Sequence, residues 1–335
     1  MFKKVFVPGG NGFVGKRVVK KLREKGINYV SLSLRDGYDF RNFEQTKRLF
    51  EEERFDAVIN CAAFVGGILY GYEKPAELFY NNILMSTYLM EAARLTGVKR
   101  FVNPISNCTY PERLSEFKEE EWWDGALHES VLAYGFARKA SWVQSWAYYK
   151  QYGFETINLI LPNMYGPGDH FDEKRSHALG ALIMKFVEAK RKKQPKVVVW
   201  GTGKPVREWL YVDDGAEALI RALYIEPTIE PINIGVGKGI SILELAKLIK
   251  EIVGYEGEIV LDTSKPDGAP CKIMNVEKMK KIFNWEPPTS LREGIEKTVE
   301  WYMNNSEREI QKEKHYENRK NNGWGFNLSN RNQEC

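Results

Sequence analysis

The chain has 335 residues, 43% hydrophobic and 28% charged, an ordinary globular balance with room for one large or two smaller cores. Lys and Arg number 49 against 45 Asp and Glu, a formal charge of only +4 without a long basic block, which argues against a nucleic-acid surface and suits a small anionic ligand. Cys61, Cys108, Cys271 and Cys335 have neither CxxC nor metal-ligand spacing, no apolar run nears the roughly 18 residues of a membrane span, and no signal-peptide core precedes the first motif, so a reduced, metal-free, cytoplasmic chain without a membrane partner is expected.

Val5, Phe6 and Val7 read as a strand. Pro8-Gly9-Gly10-Asn11-Gly12-Phe13-Val14-Gly15 follows, and then an amphipathic helix with Val14, Val18, Val19 and Leu22 on one side. A strand feeding a helix through such a turn is a dinucleotide cradle. Gly9 permits the tight turn, Gly12 lets backbone approach a pyrophosphate, and Gly15 lets helix and strand pack closely, with the phosphates over the free N–H groups of the helix N-terminus. Asn11, Phe13 and Val14 belong to the same turn and join the cofactor-side candidates. Residues 28–34 predict a second strand ending in Arg35-Asp36. An acid at this strand end hydrogen-bonds a free ribose 2'-OH, whereas an arginine pairs with a 2'-phosphate. Arg35 favours NADP, with Arg17 placed to help, and Asp36 keeps NAD open. Asp39 lies in the loop before a helix over 43–53, and residues 56–63 form the next strand, whose small Ala62 and Ala63 let backbone meet the adenosine half of a cofactor. A long helix over 75–96 and a strand over 100–103 continue the alternation. That order predicts a parallel, doubly wound sheet with right-handed crossovers and ligands at the carboxyl ends of its strands.

The strand over 100–103 delivers Ser106 and Cys108. Tyr134 then opens a helix reading Tyr-Gly-Phe-Ala-Arg138-Lys139, with Tyr134 and Arg138 on one helical face. Hydride transfer to a carbonyl needs a proton donor at the oxygen, a second donor to polarise it, and a cation beside the phenol that also holds the nicotinamide ribose. Tyr134, Ser106 and a nearby cation have those chemistries. Further on, residues 155–161 and 196–200 read as strands, 178–193 and 241–253 as helices, and 276–283 and 291–304 as two short closing helices.

The Gly9, Gly12, Gly15 spacing resembles the fingerprint of extended short-chain dehydrogenase/reductases, and Asn60-Cys61-Ala62-Ala63 resembles their NxAA segment. Residues 162–169 resemble a PxNxYGPxD segment, 201–214 a GSGxPxREFxxVDD segment and 265–272 a KPDGxPRK loop. Together, from Gly9 to about Trp301, the chain resembles the GDP-L-fucose synthase family of nucleotide-sugar epimerase/reductases. The resemblance implies Ser106 and Tyr134 as the reductase pair, Cys108 and His177 as an epimerisation acid/base pair, and Asn163 near a substrate diphosphate. Arg207 is the natural diphosphate partner, because guanidinium offers a planar fork of donors. Lys185, Trp200, Asp267 and Lys272 complete the substrate-side candidates; Trp200 and Trp209 could both face a base or sugar, although aromatics beside a strand are more often core. The chain departs from the family in three places. Arg138 stands where the family has lysine, with Lys139 one step later. Cys271 and Asn275 replace an arginine and an aspartate. Arginine holds its charge and grips hydroxyls, yet cannot join a proton relay; Lys139, about 100° round the helix, would supply cationic help only after a local distortion.

The expected architecture is an α/β Rossmann domain over 1–168, with segment 205–230 returning to it, a smaller α/β substrate domain over 169–305, and a polar tail over 306–335. The expected activity is NADPH-dependent reduction of a 4-keto nucleotide sugar, GDP-linked, with or without prior C3/C5 epimerisation. Reduction or epimerisation alone on a related sugar such as a GDP-6-deoxyheptose, and a silent nucleotide-sugar-binding subunit, stand as alternatives. The resemblance also implies a homodimer built on the helices over 75–96 and 134–151.

Overall fold

Apolar strands alternating with crossover helices pair in parallel, because each helix carries the chain back to the same end of the sheet. In the computed structural model, which describes residues 2–66, 68–171, 176–265, 267 and 269–305, the first half runs β1 (Val5–Pro8), α1 (Phe13–Glu24), β2 (Tyr29–Leu32), α2 (Phe43–Glu53), β3 (Ala57–Ile59), α3 (Ile68–Glu73), α4 (Pro75–Leu95), β4 (Arg100–Ser106), β5 (Glu116–Phe117), α5 (Leu132–Tyr152) and β6 (Thr156–Leu161). The second half adds β7 (Asn163–Tyr165), α6 (Ala178–Arg191), β8 (Lys196–Trp200), β9 (Val206–Tyr211), α7 (Val212–Arg221), β10 (Ile232–Asn233), β11 (Gly239–Ser241), α8 (Ile242–Val253), β12 (Glu258–Asp262), β13 (Cys271–Met274) and α9 (Glu277–Phe283). Residues 291–305 form a last helix. The tail expected over 306–335 lies outside the described residues.

Six strands pair in the order β10-β6-β4-β3-β1-β2, parallel throughout. Successive side chains of a strand point to opposite faces, and β1 shows what that does. Val5 and Val7 enter a core with Val18 and Leu22 of α1 and Leu219 of α7, while Phe6 enters the opposite core with Leu49 and Phe50 of α2 and Leu89 and Met90 of α4. The doubly wound sheet expected from the alternation is therefore present. A third core joins α6, β8, α8 and the last helix through Phe186, Val199, Leu245 and Val299. Beside it, β9 pairs with β7, β11 and β13, and β8 with β12. Helix α7 lies against α1, where Arg17 meets Asp213 and Lys21 and Lys25 meet Glu217.

Three strands differ from their expected bounds by more than one residue. β2 stops at Leu32 because Ser33 caps a short 3-10 turn over Leu34–Asp36, its hydroxyl accepting from Arg35 N–H while the Asp36 carboxylate accepts from Ser33 N–H. β3 stops at Ile59, where the Asn60 side-chain carbonyl takes the Ala62 N–H and turns the chain. β4 runs on to Ser106, in register with Leu161 of β6.

Candidate active site

The cradle is built as its glycines require. Gly9 holds φ at +76°, and a side chain there would strike the Cys61 carbonyl at 2.7 Å; at Gly15 a side chain would come within 2.3 Å of the Gly9 carbonyl. Helix α1 opens at Gly12 with no side-chain cap and no acid in its first turn, which leaves its orphan N–H groups for a phosphate. Phe13 and Val14 are half-buried behind the turn. Asn11 does other work: its amide donates to Ser33 Oγ at 3.0 Å and to the Asp36 carboxylate at 2.8 Å. With Ser33 N–H and Oγ–H also donating to it, Asp36 is a turn cap. Arg35 is exposed, and its guanidinium has no partner among the described residues. These residues fit an NADP adenosine with a 2'-phosphate. Arg17, expected to help there, is instead drawn to the Pro167 carbonyl and Asp213. Asp39 is clamped by Arg41, which holds its carboxyl below the usual range, and Arg41 reaches on to Asn81 at 2.6 Å. Ala62 is buried and Ala63 exposed beside the cradle.

Helix α5 brings the second group. Gly135 sits where a side chain would meet the Cys108 carbonyl at 3.3 Å, so the first turn of α5 rests directly on the turn that follows Ser106. The Arg138 guanidinium lies 3.4 Å from the Tyr134 hydroxyl, 5.4 Å from the Tyr134 ring centre, 3.4 Å from the Ala62 carbonyl and 3.5 Å from Ser86 Oγ. Ser106 Oγ accepts the Cys108 N–H at 3.3 Å. Burial pushes the Cys108 thiol up; contact with Ser106 and the charges of Lys272 and Arg138 pull against it. Lys139 does not assist Arg138. It points to the far side of α5, where its ammonium donates to the Trp122 carbonyl at 2.5 Å, because the undistorted helix turns it away from Tyr134.

The third group comes from the C-terminal half. Lys272 on β13 is half-buried and has no hydrogen-bond partner among the described residues; desolvation lowers its pKa, and it feels the charges of Cys108 and Arg207. His177 caps α6 and feels Lys272 and His170, and desolvation with those charges pushes its imidazole down to about 4. The residue as a whole is exposed at the surface, and the downward direction of that shift is what enters the chemistry. Arg207 hydrogen-bonds only its neighbour's carbonyl at Val206 among the described residues. Its other guanidinium N–H groups have no acceptor among the described residues. Ser106, Cys108, Tyr134 and Arg138 thus stand together at the carboxyl end of β4 and the first turns of α5. Lys272, His177 and Arg207 are coupled to them and to one another through charge, and half-buried Asn163 lies at the head of β7.

Trp200, Lys185 and Asp267 make a separate rim. Trp200 is 46% exposed, with Lys185 and Lys265 ammonium groups 5.1 and 5.6 Å from its ring centre. Asp267 accepts from Thr202 N–H at 2.8 Å and from its hydroxyl at 2.6 Å, tying its loop to the end of β8. Trp209 is core, 4% exposed.

Two residues escaped the sequence. Ser86 lies in mid-helix on α4 and carries no local signal. Glu208 had one: next to Arg207 in a strand, it must point to the opposite face. It is 1% exposed, and its carboxylate accepts from Val236 N–H, Gly237 N–H and Met274 N–H at 2.5, 2.9 and 2.6 Å.

The model of the NAD dependent epimerase/dehydratase family matches residues 5–235. The chain is 37% identical over 303 residues to GDP-L-fucose synthase 1 of Arabidopsis thaliana, spanning 90% of this chain and 94% of that one. Among solved structures it is similar to a GDP-6-OMe-4-keto-L-xylo-heptose reductase from C. jejuni, with a TM-score of 0.85, 28% identity and coverage of 90% and 98%. It is likewise similar to a GDP-mannoheptose C4 reductase from Campylobacter jejuni with NADP bound, with a TM-score of 0.82, 29% identity and coverage of 90% and 98%.

Proposed function

The chain belongs to the NAD dependent epimerase/dehydratase family, and from that premise we propose that it is an NADPH-dependent reductase of a GDP-linked 4-keto sugar. The observation that carries the reading is the Arg138 guanidinium against the Tyr134 hydroxyl, on a helix resting directly on the Ser106–Cys108 turn. NADPH when bound supplies hydride to the C4 carbonyl carbon. Tyr134 donates its proton to the C4 oxygen, Ser106 hydrogen-bonds that oxygen, and Arg138 stabilises the phenolate left behind. Gly9, Gly12 and Gly15 hold the pyrophosphate, and Arg35 the 2'-phosphate. Arg207, Asn163 and Lys272 bind the sugar diphosphate, while Trp200 with Lys185 receives the base. The region over 1–168, with 205–230 returning to it, holds the dinucleotide, and 169–305 the nucleotide sugar. The packing of α7 on α1 and the separate core around α6 support that division. Among the described residues no helix is long and apolar enough to cross a membrane, and a cytoplasmic homodimer is the setting we assign.

In the fuller reading Cys108 and His177 first move protons at C3 and C5. A thiol held up and an imidazole held down are both neutral near pH 7, and the reactive thiolate–imidazolium form is then a small fraction that does not vary with pH between the two pKa values. The test is NADPH absorbance with GDP-, dTDP-, UDP- and CDP-linked 4-keto sugars, together with proton exchange in deuterated water. Turnover is expected with the GDP sugar, and its absence with all four overturns the reading. Label is expected at C3 and C5 and should vanish in Cys108→Ser. The exchange rate should stay flat across neutral pH, fall on the acid side only below the ordinary imidazole range, and fall on the alkaline side only beyond the ordinary thiol range. Exchange that survives Cys108→Ser removes Cys108 from the proton transfer, whereas no label at C3 or C5 in the parent leaves C4 reduction alone, the activity named for the two heptose enzymes.

A further inference from the structure

Resting on the reductase reading, we infer that Lys139 is a positioning residue: through Trp122 and Thr109 it fixes the Ser106–Cys108 turn against the face of α5 that carries Tyr134 and Arg138. The mechanism gives Lys139 no task, yet it is 4% exposed. A buried ammonium is costly unless its surroundings replace water. Among the described residues Lys139 has no carboxylate in contact. Its Nζ donates to the Trp122 carbonyl at 2.5 Å and stands 5.1 and 4.3 Å from the ring centres of Trp122 and Trp123. Trp142, from the next turn of α5, packs on both rings at 5.6 Å. Desolvation lowers the amine to about 8, opposed by the charge of Asp124.

What lies beyond Trp122 gives this arrangement its direction. The Trp122 indole N–H donates to Thr109 Oγ1 at 2.8 Å, and the Thr109 hydroxyl donates to the Ser106 carbonyl at 2.7 Å. Trp122 is 1% exposed and Thr109 is fully buried, so water cannot replace either bond. Three hydrogen bonds therefore run from Lys139 to the backbone of the residue assigned as the second carbonyl donor. Gly135 already touches the turn at Cys108, one helical turn before Lys139. One contact sets a distance; two, a turn apart, also set an orientation.

Lys139→Met keeps the length of the side chain and removes its charge and donor, and Thr109→Val cuts the same path at its other end. Misplacement by about 1 Å can cost about a hundredfold in rate; each variant is expected to lower kcat by roughly tenfold with KM for NADPH unchanged, and the double variant to lose no more than either single one. Losses that multiply, or a lowered melting temperature with kcat intact, overturn the inference. A second readout needs no sugar: the alkylation rate of Cys108 by iodoacetamide, followed by mass spectrometry with Cys271 as internal reference. The ratio is expected to change severalfold in both variants, and an unchanged ratio overturns the inference. Should Lys139→Met fail to fold, Thr109→Val carries the test by itself. If the unsubstituted enzyme turns over no 4-keto nucleotide sugar, the reductase reading fails, and the alkylation ratio alone decides the role of Lys139.

Discussion

Arg35 and Asp36 are adjacent at the end of the second strand, and adjacency alone leaves their claims on a ribose balanced. A third residue, Asn11, breaks the tie. By donating to Asp36 from inside the glycine turn it commits that carboxylate to the protein, while Arg35 stays exposed without a partner among the described residues. A charge-assisted hydrogen bond contributes about 1.5–3 kcal/mol, so Arg35→Ser is expected to raise KM for NADPH by about tenfold or more and to leave KM for NADH nearly unchanged. Steady-state kinetics with both cofactors measure this, and an unaltered preference would move the 2'-phosphate away from Arg35. The same logic explains why Lys139 could be placed but not understood from sequence. Helical pitch turns it away from Tyr134, whereas its partner Trp122 comes from a loop whose path no local pattern encodes.

At the scale of elements, the motif-bearing strands and long helices were legible because their signals are local: β1 and its turn, α2, α4, α5 and β6 lie close to where periodicity puts them. The two-residue β5, the three-residue β7 and the four-residue β13 were not legible. Each is defined by partners far away in the chain, as in the pairing of Cys271 with Val206 and of Ile273 with Glu116. Glu208 holds that region together. Both its oxygens are used, one by Val236 and Gly237 and the other by Met274, so the strand carrying Arg207 and the strand carrying Lys272 share one buried carboxylate. Burial lifts it to about 7 against the pull of those three amides. In Glu208→Gln a side-chain NH2 must face at least one of these N–H donors, leaving it unsatisfied. The expected cost is about 2 kcal/mol, read by urea unfolding, and a variant as stable as the parent would show that the clasp is dispensable.

For the whole molecule, the question is what covers α4 and α5. Neither carries a single apolar stripe turned to the core: α4 buries Asn81, Asn82 and Ser86, and α5 buries Arg138, Lys139, Ser141 and Ser145. On α5, Leu132, Phe136, Val143 and Trp146 fall within about 80° of one another on an ideal helix, and all four remain exposed, by 49%, 53%, 44% and 42%. Phe79 and Tyr80 of the adjoining α4 are exposed by 39% and 61%. Large apolar side chains left exposed along one face of a helix mark an association site. Its two helices are those on which the proposed homodimer would be built, and a two-fold axis there would pack the same stripe against itself. Trp146 lies on the outward face, away from Tyr134, Arg138 and the cradle contacts of Ala62. Trp146→Glu places a charge in that stripe, and like charges would meet across the axis. Light scattering during gel filtration is expected to give a dimeric mass for the parent and a monomeric mass for Trp146→Glu, with NADPH binding retained. A monomeric parent would refute the dimer outright. A variant that stays dimeric would move the interface to another face.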